Sequence, residues 1–215
     1  MKQPRNYKSE SIQEFDRSAE NYDQHSPFYY RMTRLCDDAV IERIASFSQE
    51  KLRILDVGCG TGALLEKLRN RFEDADLCGV DISPKMLDVA RSRNIANAVF
   101  AEGDAEHLPC DDRSFDIVLC CSSFHHYPDP QKAAAEFLRV SRPGGTLMIC
   151  DMNLPAIARL FANHVLFPLQ KKGDVRVYAR SEIQELLESQ GWEKCRVEKI
   201  TAFEWLALCM SPTVS

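Results

Sequence analysis

The nine residues Ile54-Leu55-Asp56-Val57-Gly58-Cys59-Gly60-Thr61-Gly62 decide the fold of this chain. An apolar run leads into three glycines spaced two apart, and Leu64, Leu65 and Leu68 then recur at helical intervals. This order predicts a strand, a tight turn and a helix. Glycine in the turn lets backbone N–H groups approach a ligand, and the new helix directs the positive end of its dipole at the same place.

The acidic residue at position 56 restricts which ligand this turn can hold. Gly58, Gly60 and Ala63 satisfy the dinucleotide pattern G-x-G-x-x-G/A, which alone is weak evidence. A carboxylate at the end of the strand repels a pyrophosphate and attracts an ammonium. Asp56 therefore favours S-adenosylmethionine, a nucleoside with an amino acid at its other end, over NAD. An Asp that only caps the turn is the alternative.

Residues 56–62 resemble motif I of the class I S-adenosylmethionine-dependent methyltransferases, most closely the small-molecule group of the ubiquinone and menaquinone biosynthesis type. The similarity extends from about residue 15 to residue 203. It implies a Rossmann-like methyltransferase fold, which is an α/β fold with seven strands and an antiparallel last strand. It also implies an N-terminal helical segment that closes over the cofactor.

Five alternations of strand and helix patterns independently predict a doubly wound, mostly parallel sheet with helices on both faces. We expect a single methyltransferase domain over residues 1–215, with residues 1–48 as a helical cover. By the same resemblance, residues 152–180 form a helical insertion after the fifth strand, over the substrate cavity. This apolar segment could equally be a helix pair that extends the core.

Composition limits the function further. With 27 basic and 32 acidic residues the formal net charge is −5, which argues against a broad nucleic-acid surface. No apolar run reaches the ~18–20 residues of a membrane span, and the N-terminus lacks the apolar core of a signal peptide, so the expected location is the cytoplasm. None of the nine cysteines forms C-x-x-C, and free thiols in a reduced cytosol fit better than disulfides or a zinc site.

Candidate cofactor contacts occur at the ends of successive strands. Asp81 lies 19 residues beyond Gly62 and can accept hydrogen bonds from both ribose hydroxyls. Asp104 and Ala105 match the adenine-edge loop of the resembling family. The complete set expected at S-adenosylmethionine or its product S-adenosylhomocysteine is Tyr22, Asp56, Gly58, Cys59, Gly60, Asp81, Ile82, Met86, Asp104, Ala105, Cys121 and Ser122.

No catalytic residue is assigned, but three candidates lie on the expected acceptor side. Residues 122–129 follow the fourth strand and should border the transferred methyl group, since ligands bind outside the carboxyl ends of such strands. His125 or His126 could act as a general base, or could pack or contact the cofactor. Tyr22 is the third candidate. No metal is expected, because neighbouring residues rarely coordinate one ion together.

Methyl transfer from S-adenosylmethionine to a small, partly apolar acceptor is the function that these features favour. The sulfonium is already activated, so the protein mainly has to align the acceptor with the methyl group and exclude water. Two alternatives remain open from sequence. One is a non-catalytic binder of S-adenosylmethionine, and the other is an NAD-dependent oxidoreductase that uses the same turn.

Overall fold

Seven strands in the described part of the chain form one sheet. The structure is a computed structural model that describes residues 5–24, 27–47 and 51–213, with only the backbone of 27–34. The strands are β1 (Arg53–Val57), β2 (Asp76–Asp81), β3 (Ala98–Glu102), β4 (Phe115–Cys121), β5 (Ser141–Met152), β6 (Glu193–Lys199) and β7 (Glu204–Met210). Their order across the sheet is β3-β2-β1-β4-β5-β7-β6.

Strand direction confirms the predicted topology. The first five strands pair in parallel, whereas β7 runs antiparallel to both β5 and β6. The chain order reverses at β1, which lies between β2 and β4. In an open α/β sheet the crevice at such a reversal, at the carboxyl ends of the strands, is where ligands bind. The fold therefore directs attention to the ends of β1, β2 and β4.

Helices cover both faces of the sheet. They are α1 (Tyr7–Ser18), α2 (Pro27–Ile44), α3 (Ala63–Arg71), α4 (Pro84–Ser92), α5 (Pro130–Val140), α6 (Ala156–Phe161), α7 (Phe167–Leu169) and α8 (Arg180–Ser189), with 3₁₀ turns at Ala19–Gln24 and Phe124–His126 and a π-helical turn at Ala162–Leu166. One buried cluster includes Phe137 of α5 and Ile183 of α8. The second, on the other face, includes Val40 of α2 and Leu65 of α3.

Two helices begin where the sequence predicts. The Ser83 side chain accepts a hydrogen bond from the backbone N–H of Met86, with a proline at the first position of α4. Asp129 caps α5 in the same way, accepting from the N–H of Lys132. Such caps satisfy N–H groups that have no partner within the helix, and proline suits the first helical position. They fix the helix starts directly after loops that line the site described below.

The N-terminal helical segment is present as expected. Helix α1, the first 3₁₀ turn and α2 occupy the predicted cover 1–48, of which residues 1–4, 25–26 and 48 lie outside the described part. Helix α1 contacts α4 and the second 3₁₀ turn, and α2 contacts β4, β5 and β7. The segment therefore lies across the carboxyl-end loops as well as on one face of the sheet.

The segment after β5 is one continuous helical stretch over residues 156–169, composed of α6, the π-helical turn and α7. Ala162 and Phe167 pack against Val177 in a small separate cluster. Most of its other apolar side chains are exposed, so the segment does not extend the core as a helix pair would. Neither this stretch nor any other helix in the described ranges has the length and apolar character needed to cross a membrane.

The cysteines contradict the expectation that free thiols fit this chain better than disulfides. The structure contains two disulfides, Cys36–Cys150 between α2 and β5 and Cys195–Cys209 between β6 and β7. The free cysteines are Cys59, Cys78, Cys110, Cys120 and Cys121. The bonded pairs are 114 and 14 residues apart, so no short-range motif announces them and only the folded sheet brings them together. The first bond ties the N-terminal helical segment to the centre of the sheet.

This pairing predicts the outcome of thiol labelling. Protein purified without reductant, denatured and alkylated should take up five labels, and after reduction nine. Intact-mass spectrometry measures the count. Cys36→Ser should raise the unreduced count to six, because it releases Cys150. Nine labels before reduction would contradict both disulfides.

Candidate functional site

Two adjoining cavities lie at the carboxyl ends of the central strands. The turn cavity, of about 140 Å³, borders the glycine turn at 58–62, and the loop cavity, of about 50 Å³, borders the loop at 103–105. Their common wall consists of Phe15, Gly58, Asp81 and Ser123. A ligand with two differently shaped ends could therefore occupy both cavities and cross at this wall.

Each of the twelve residues expected at the cofactor lines at least one of the two cavities. The turn cavity is lined by Tyr22, Asp56, Gly58, Cys59, Gly60, Asp81, Met86, Cys121 and Ser122, and the loop cavity by Gly58, Asp81, Ile82, Asp104 and Ala105. The sequence reasoning did not single out Asp37 and Lys67, which also line the turn cavity. They lie on α2 and α3 and pair at 2.8 Å only in the folded protein, so no sequence signal marks them.

Gly58 and Gly60 are needed in the turn for different reasons. Gly58 has φ +74°, and a Cβ atom there would lie 2.1 Å from Ser123 Oγ and 3.1 Å from the Tyr127 hydroxyl. Any side chain at this position would therefore collide with the loop after β4. Gly60 has φ +52°, but a Cβ atom there would meet nothing within 4 Å. Its conformation favours glycine, and its backbone borders open space that a ligand could fill.

Asp56 is the most unusual group in the turn cavity. Its side chain is buried at the end of β1, and Oδ1 has no hydrogen-bond partner within the described part of the chain. Burial raises the pKa of Asp56 to about 8, and the nearby carboxylates of Asp37 and Asp81 add to the rise. Buried polar atoms almost always have a partner, so an unpaired carboxylate oxygen at a cavity wall marks a place for a ligand donor.

The whole turn cavity is rich in acid. Its lining includes four carboxylates and one lysine: Asp23, Asp37, Asp56, Asp81 and Lys67. The lysine is already paired with Asp37. Such a lining favours a positively charged ligand group and opposes a pyrophosphate.

Asp81 is held in place at the junction of the cavities. One carboxylate oxygen accepts the N–H of Gly60 and the other accepts the N–H of Ser83, both at 2.8 Å. Burial raises the pKa of Asp81, while these backbone donors favour the charged form. Each carboxylate oxygen can accept a further hydrogen bond. The side chain can therefore meet a diol without moving.

Residues 8–23 connect the N-terminal segment to the loops after three successive strands. The contacts are Asp23 with Thr61 after β1 (2.8 Å), Asp16 with Ser83 after β2 (2.6 Å), and Lys8 with Asp104 after β3 (2.6 Å). Phe15 and Tyr22 of the same segment line the turn cavity. Asp104 is thus ion-paired to Lys8, and its other oxygen accepts the N–H of Glu106.

His125 is a buried member of an ion pair. Its Nδ1 lies 2.8 Å from Asp151 Oδ1, and its backbone N–H donates to Asp151 Oδ2 at 3.0 Å. Burial favours the neutral ring, but the carboxylates of Asp151 and then Asp174 outweigh it and raise the pKa of His125. The residue lines neither cavity.

The pKa of His126 is shifted in the opposite direction to that of His125. His126 lines the loop cavity, and its Nδ1 has no hydrogen-bond partner in residues 5–24, 35–47 and 51–213, for which side chains are described. Burial, followed by the charge on His125, lowers the pKa of His126 to about 3. Within the described ranges, His125, His126 and Asp174 have potential metal-ligand atoms within 4.8 Å of one another. Because Asp174 is remote in sequence, this group was not foreseen, and the absence of a metal remains a prediction.

Comparison with known proteins agrees with this geometry. Residues 55–149 match the family model described as a methyltransferase domain. A demethylmenaquinone methyltransferase of Thermotoga maritima is 31% identical over 159 residues, which are 74% of this chain and 68% of that relative. The chain belongs to the S-adenosylmethionine-dependent methyltransferase family. This membership confirms the family resemblance inferred from residues 56–62 and identifies S-adenosylmethionine as the family's cofactor.

Other methyltransferases define how far the similarity extends. A demethylmenaquinone methyltransferase of Deinococcus radiodurans is 39% identical over 123 residues, 53% of this chain and 51% of that relative. The chain spans about half the length of several curated methyltransferases that it matches. A methyltransferase of Haloferax volcanii, solved in complex with the activator Trm112, has a TM-score of 0.80 at 21% identity, covering 95% of this chain and 99% of its own. That likeness shows the fold.

The two histidines of this methyltransferase-family chain should titrate separately. At about pH 5, His125 should carry a charge and His126 should remain neutral, given the raised pKa of the first and the pKa of about 3 of the second. Nitrogen-15 chemical shifts of the imidazole rings measure both states. Asp151→Asn should lower the pKa of His125, because it removes the neighbouring negative charge. If both rings titrate over the same pH range, the expected difference between the pKa of His125 and that of His126 is refuted.

Proposed function

We propose that this chain transfers a methyl group from S-adenosylmethionine to a small, partly apolar acceptor. The observation that carries the proposal is the unpaired buried oxygen of Asp56 beside the open backbone of Gly60. An ammonium group supplies the donor that this oxygen lacks. The names of the two bacterial relatives, which give demethylmenaquinone as their acceptor, support an acceptor that is a small molecule.

The two cavities suit the two ends of the cofactor. Asp56 would accept from the ammonium in the turn cavity, and the Gly58 and Gly60 backbone would allow close approach. Asp81 lines both cavities, as a ribose that joins the two ends of the ligand requires. In the loop cavity, Asp104 and Ala105 would meet the adenine edge. When bound, the cofactor supplies an activated methyl group on its sulfonium.

The chain's own contribution is then alignment and exclusion of water. Phe15 and Tyr22 of the N-terminal segment and Met86 of α4 form apolar parts of the turn-cavity wall. Tyr22 and His126 remain candidates for contact with the acceptor, and the unpaired Nδ1 of His126 is able to accept a hydrogen bond. His125 is better placed to orient the loop after β4, because it contacts Asp151 and lines neither cavity. Proximity and orientation of this kind supply a large part of many enzymatic rate enhancements.

Titration calorimetry and a transfer assay together test this function. Purified protein should bind S-adenosylhomocysteine and ignore NAD, and should move labelled methyl from S-adenosylmethionine to at least one member of a panel of quinols, phenols and carboxylic acids. Exclusive NAD binding would favour the oxidoreductase. Cofactor binding without transfer to any acceptor would favour a non-catalytic binder.

The partner and location assignments belong to the same proposal. A net charge of −5 supports a small-molecule acceptor and no nucleic-acid partner. We propose the cytoplasm as the compartment. Both disulfides would ordinarily be reduced there, so in protein alkylated directly in cells nine labels would support this location and five would contradict it, whereas the earlier count concerns protein purified without reductant.

Cofactor affinity should depend on pH through Asp56. Because burial raises the pKa of Asp56 to about 8, the free carboxyl is mostly neutral at pH 6 and must lose its proton to meet an ammonium. Affinity for S-adenosylhomocysteine should therefore rise from pH 6 to pH 8, by up to about tenfold per unit.

Calorimetry at each pH measures this change, and two controls isolate it. Adenosine, which has no amino-acid end, should show little of the rise. Asp56→Asn keeps the shape of the side chain but cannot ionise, so it should flatten the profile for S-adenosylhomocysteine. An unchanged profile in that variant would exclude Asp56 as the source.

Loss of the carboxylate at position 81 should weaken cofactor binding. Asp81→Ala should cost ~1–3 kcal/mol in affinity for S-adenosylhomocysteine, because the ribose hydroxyls are left without a buried acceptor. Asp76→Ala, at the opposite end of β2 and with a side chain about half exposed, is the matched control and should have no effect. Thermal unfolding of both variants checks the fold. Unchanged affinity in folded Asp81→Ala would remove this residue from the site.

A further inference from the structure

Residues 156–169, here called the insertion helix, present an exposed apolar face. Its exposed large apolar side chains are Ile157, Leu160, Phe161, Val165, Leu166 and Leu169. These are six of the ten such side chains that are exposed among the described residues. Ile157 exposes 86% of its surface and Leu169 77%. Isolated exposed apolar residues are normal, but a contiguous apolar face indicates an interaction surface.

The opposite face of the insertion helix is fixed to the protein. Ala162 and Phe167 are buried against Val177. The Asn163 side chain donates to the carbonyl oxygen of Val177 at 3.0 Å and accepts its N–H at 2.8 Å. Arg5 of the N-terminal segment also donates to the carbonyl oxygen of Phe167 at 2.8 Å. The helix is therefore docked in a defined orientation, and its exposed face is a consequence of that docking.

The Lys, Arg, Asp and Glu positions in the stretch around this face are occupied by basic residues alone. Residues 152–173 contain Arg159, Lys171 and Lys172 and no Asp or Glu. The whole chain has 32 acidic residues in 215, so about three would be expected in this stretch of 22. Both lysines are exposed and follow the helix after one residue, Gln170. The insertion is thus a positively charged, apolar region on a chain of net charge −5.

The nearby acidic side chains are also engaged with other groups. Asp174, which directly follows the stretch, interacts with Lys172 but also lies 3.7 Å from His125 Nε2. Glu10 is ion-paired with Arg5 at 2.6 Å, and Glu182 with Arg176 at 2.7 Å. Lys172 lies 3.7 Å from Glu14, which is also paired with Arg17. An exposed ion pair at such a distance holds a lysine weakly. The lysines at the end of the insertion helix therefore remain able to meet an external anion.

We propose that the insertion helix binds the surface of a lipid bilayer that contains anionic lipids. The apolar face would enter the boundary between headgroups and acyl chains, and Lys171 and Lys172 would lie among the headgroups. A helix of this length lies in the interface and does not cross it. A second copy of the chain is a poorer occupant, because a two-fold symmetric contact through this face would bring the same positive charges together.

The position of the helix connects the bilayer to the candidate site. The chain passes from Leu169 to Asp174 in five residues, and Asp174 lies beside His125 and His126. The N–H groups of Val175 and Arg176 then donate to the carbonyl oxygen of His125. A bilayer under the insertion helix would therefore lie close to the loop cavity. Membrane binding itself does not depend on the proposed methyl transfer.

Vesicle flotation of the full chain tests the proposal without cofactor or acceptor. The probes are phosphatidylcholine vesicles and vesicles with about one quarter phosphatidylglycerol, as an anionic surface. The chain should float with the anionic vesicles and much less with the neutral ones. The double variant Ile157→Glu, Leu169→Glu should weaken binding at least about tenfold, because it places charge in the apolar face. Val99→Glu, at a side chain 65% exposed on β3, is the matched control.

A second pair of variants tests the electrostatic part. Lys171→Gln with Lys172→Gln should reduce the preference for anionic vesicles, and Lys132→Gln on α5 should not. Thermal unfolding and S-adenosylhomocysteine titration verify that each variant is folded. Flotation that is absent in the wild type, or equal in the Ile157→Glu, Leu169→Glu variant, overturns the proposal. So does a wild-type dimer in sedimentation that this double variant separates, since a second copy would then be the occupant.

Discussion

The buried, unpaired carboxylate of Asp56 is the constraint on which the site depends. It lies at the end of β1, the strand where the chain order of the sheet reverses, and Oδ1 has no partner among the residues that the structure describes. Burying an ionised group without a counter-charge is costly, and the free protein lowers that cost by raising the pKa of the carboxyl. The same arrangement is the basis for the proposed preference for a ligand that brings its own positive charge.

The surroundings of this carboxylate reinforce that preference. Asp37 pairs with Lys67, and Asp81 accepts two backbone N–H groups, so the other charges at the cavity are held in place before any ligand arrives. Fixed dipoles and charges lose little energy to rearrangement when a ligand binds. The first glycine of the turn completes the arrangement, because only a residue without a side chain fits against Ser123.

Local patterns in the sequence were sufficient for the sheet and for the part of the cavity lining that lies at the ends of the strands. The β1–turn–α3 unit and the Ser83 and Asp129 caps depend on neighbours in the chain, and residues at strand ends converge in any parallel sheet. Contacts between segments that are distant in the sequence could not be predicted from local patterns. Asp174 meets the histidine pair and Cys36 meets Cys150 only after folding. The exposure of the apolar side chains in the insertion was also not predicted. Apolar periodicity indicates that a helix has an apolar face, but it does not show whether other residues cover that face.

The connections made by residues 8–23 have a kinetic consequence. This segment is attached by polar contacts to the loops that follow β1, β2 and β3, and its aromatic rings form part of the wall around any bound molecule. A molecule enclosed there can escape only after some of those attachments separate. In the proposed methyl transfer, departure of the product nucleoside, rather than bond making, is then expected to limit the rate of each cycle. The dwell time of a ligand would thus be governed by the strength of one partly buried ion pair and two hydrogen bonds between distant segments.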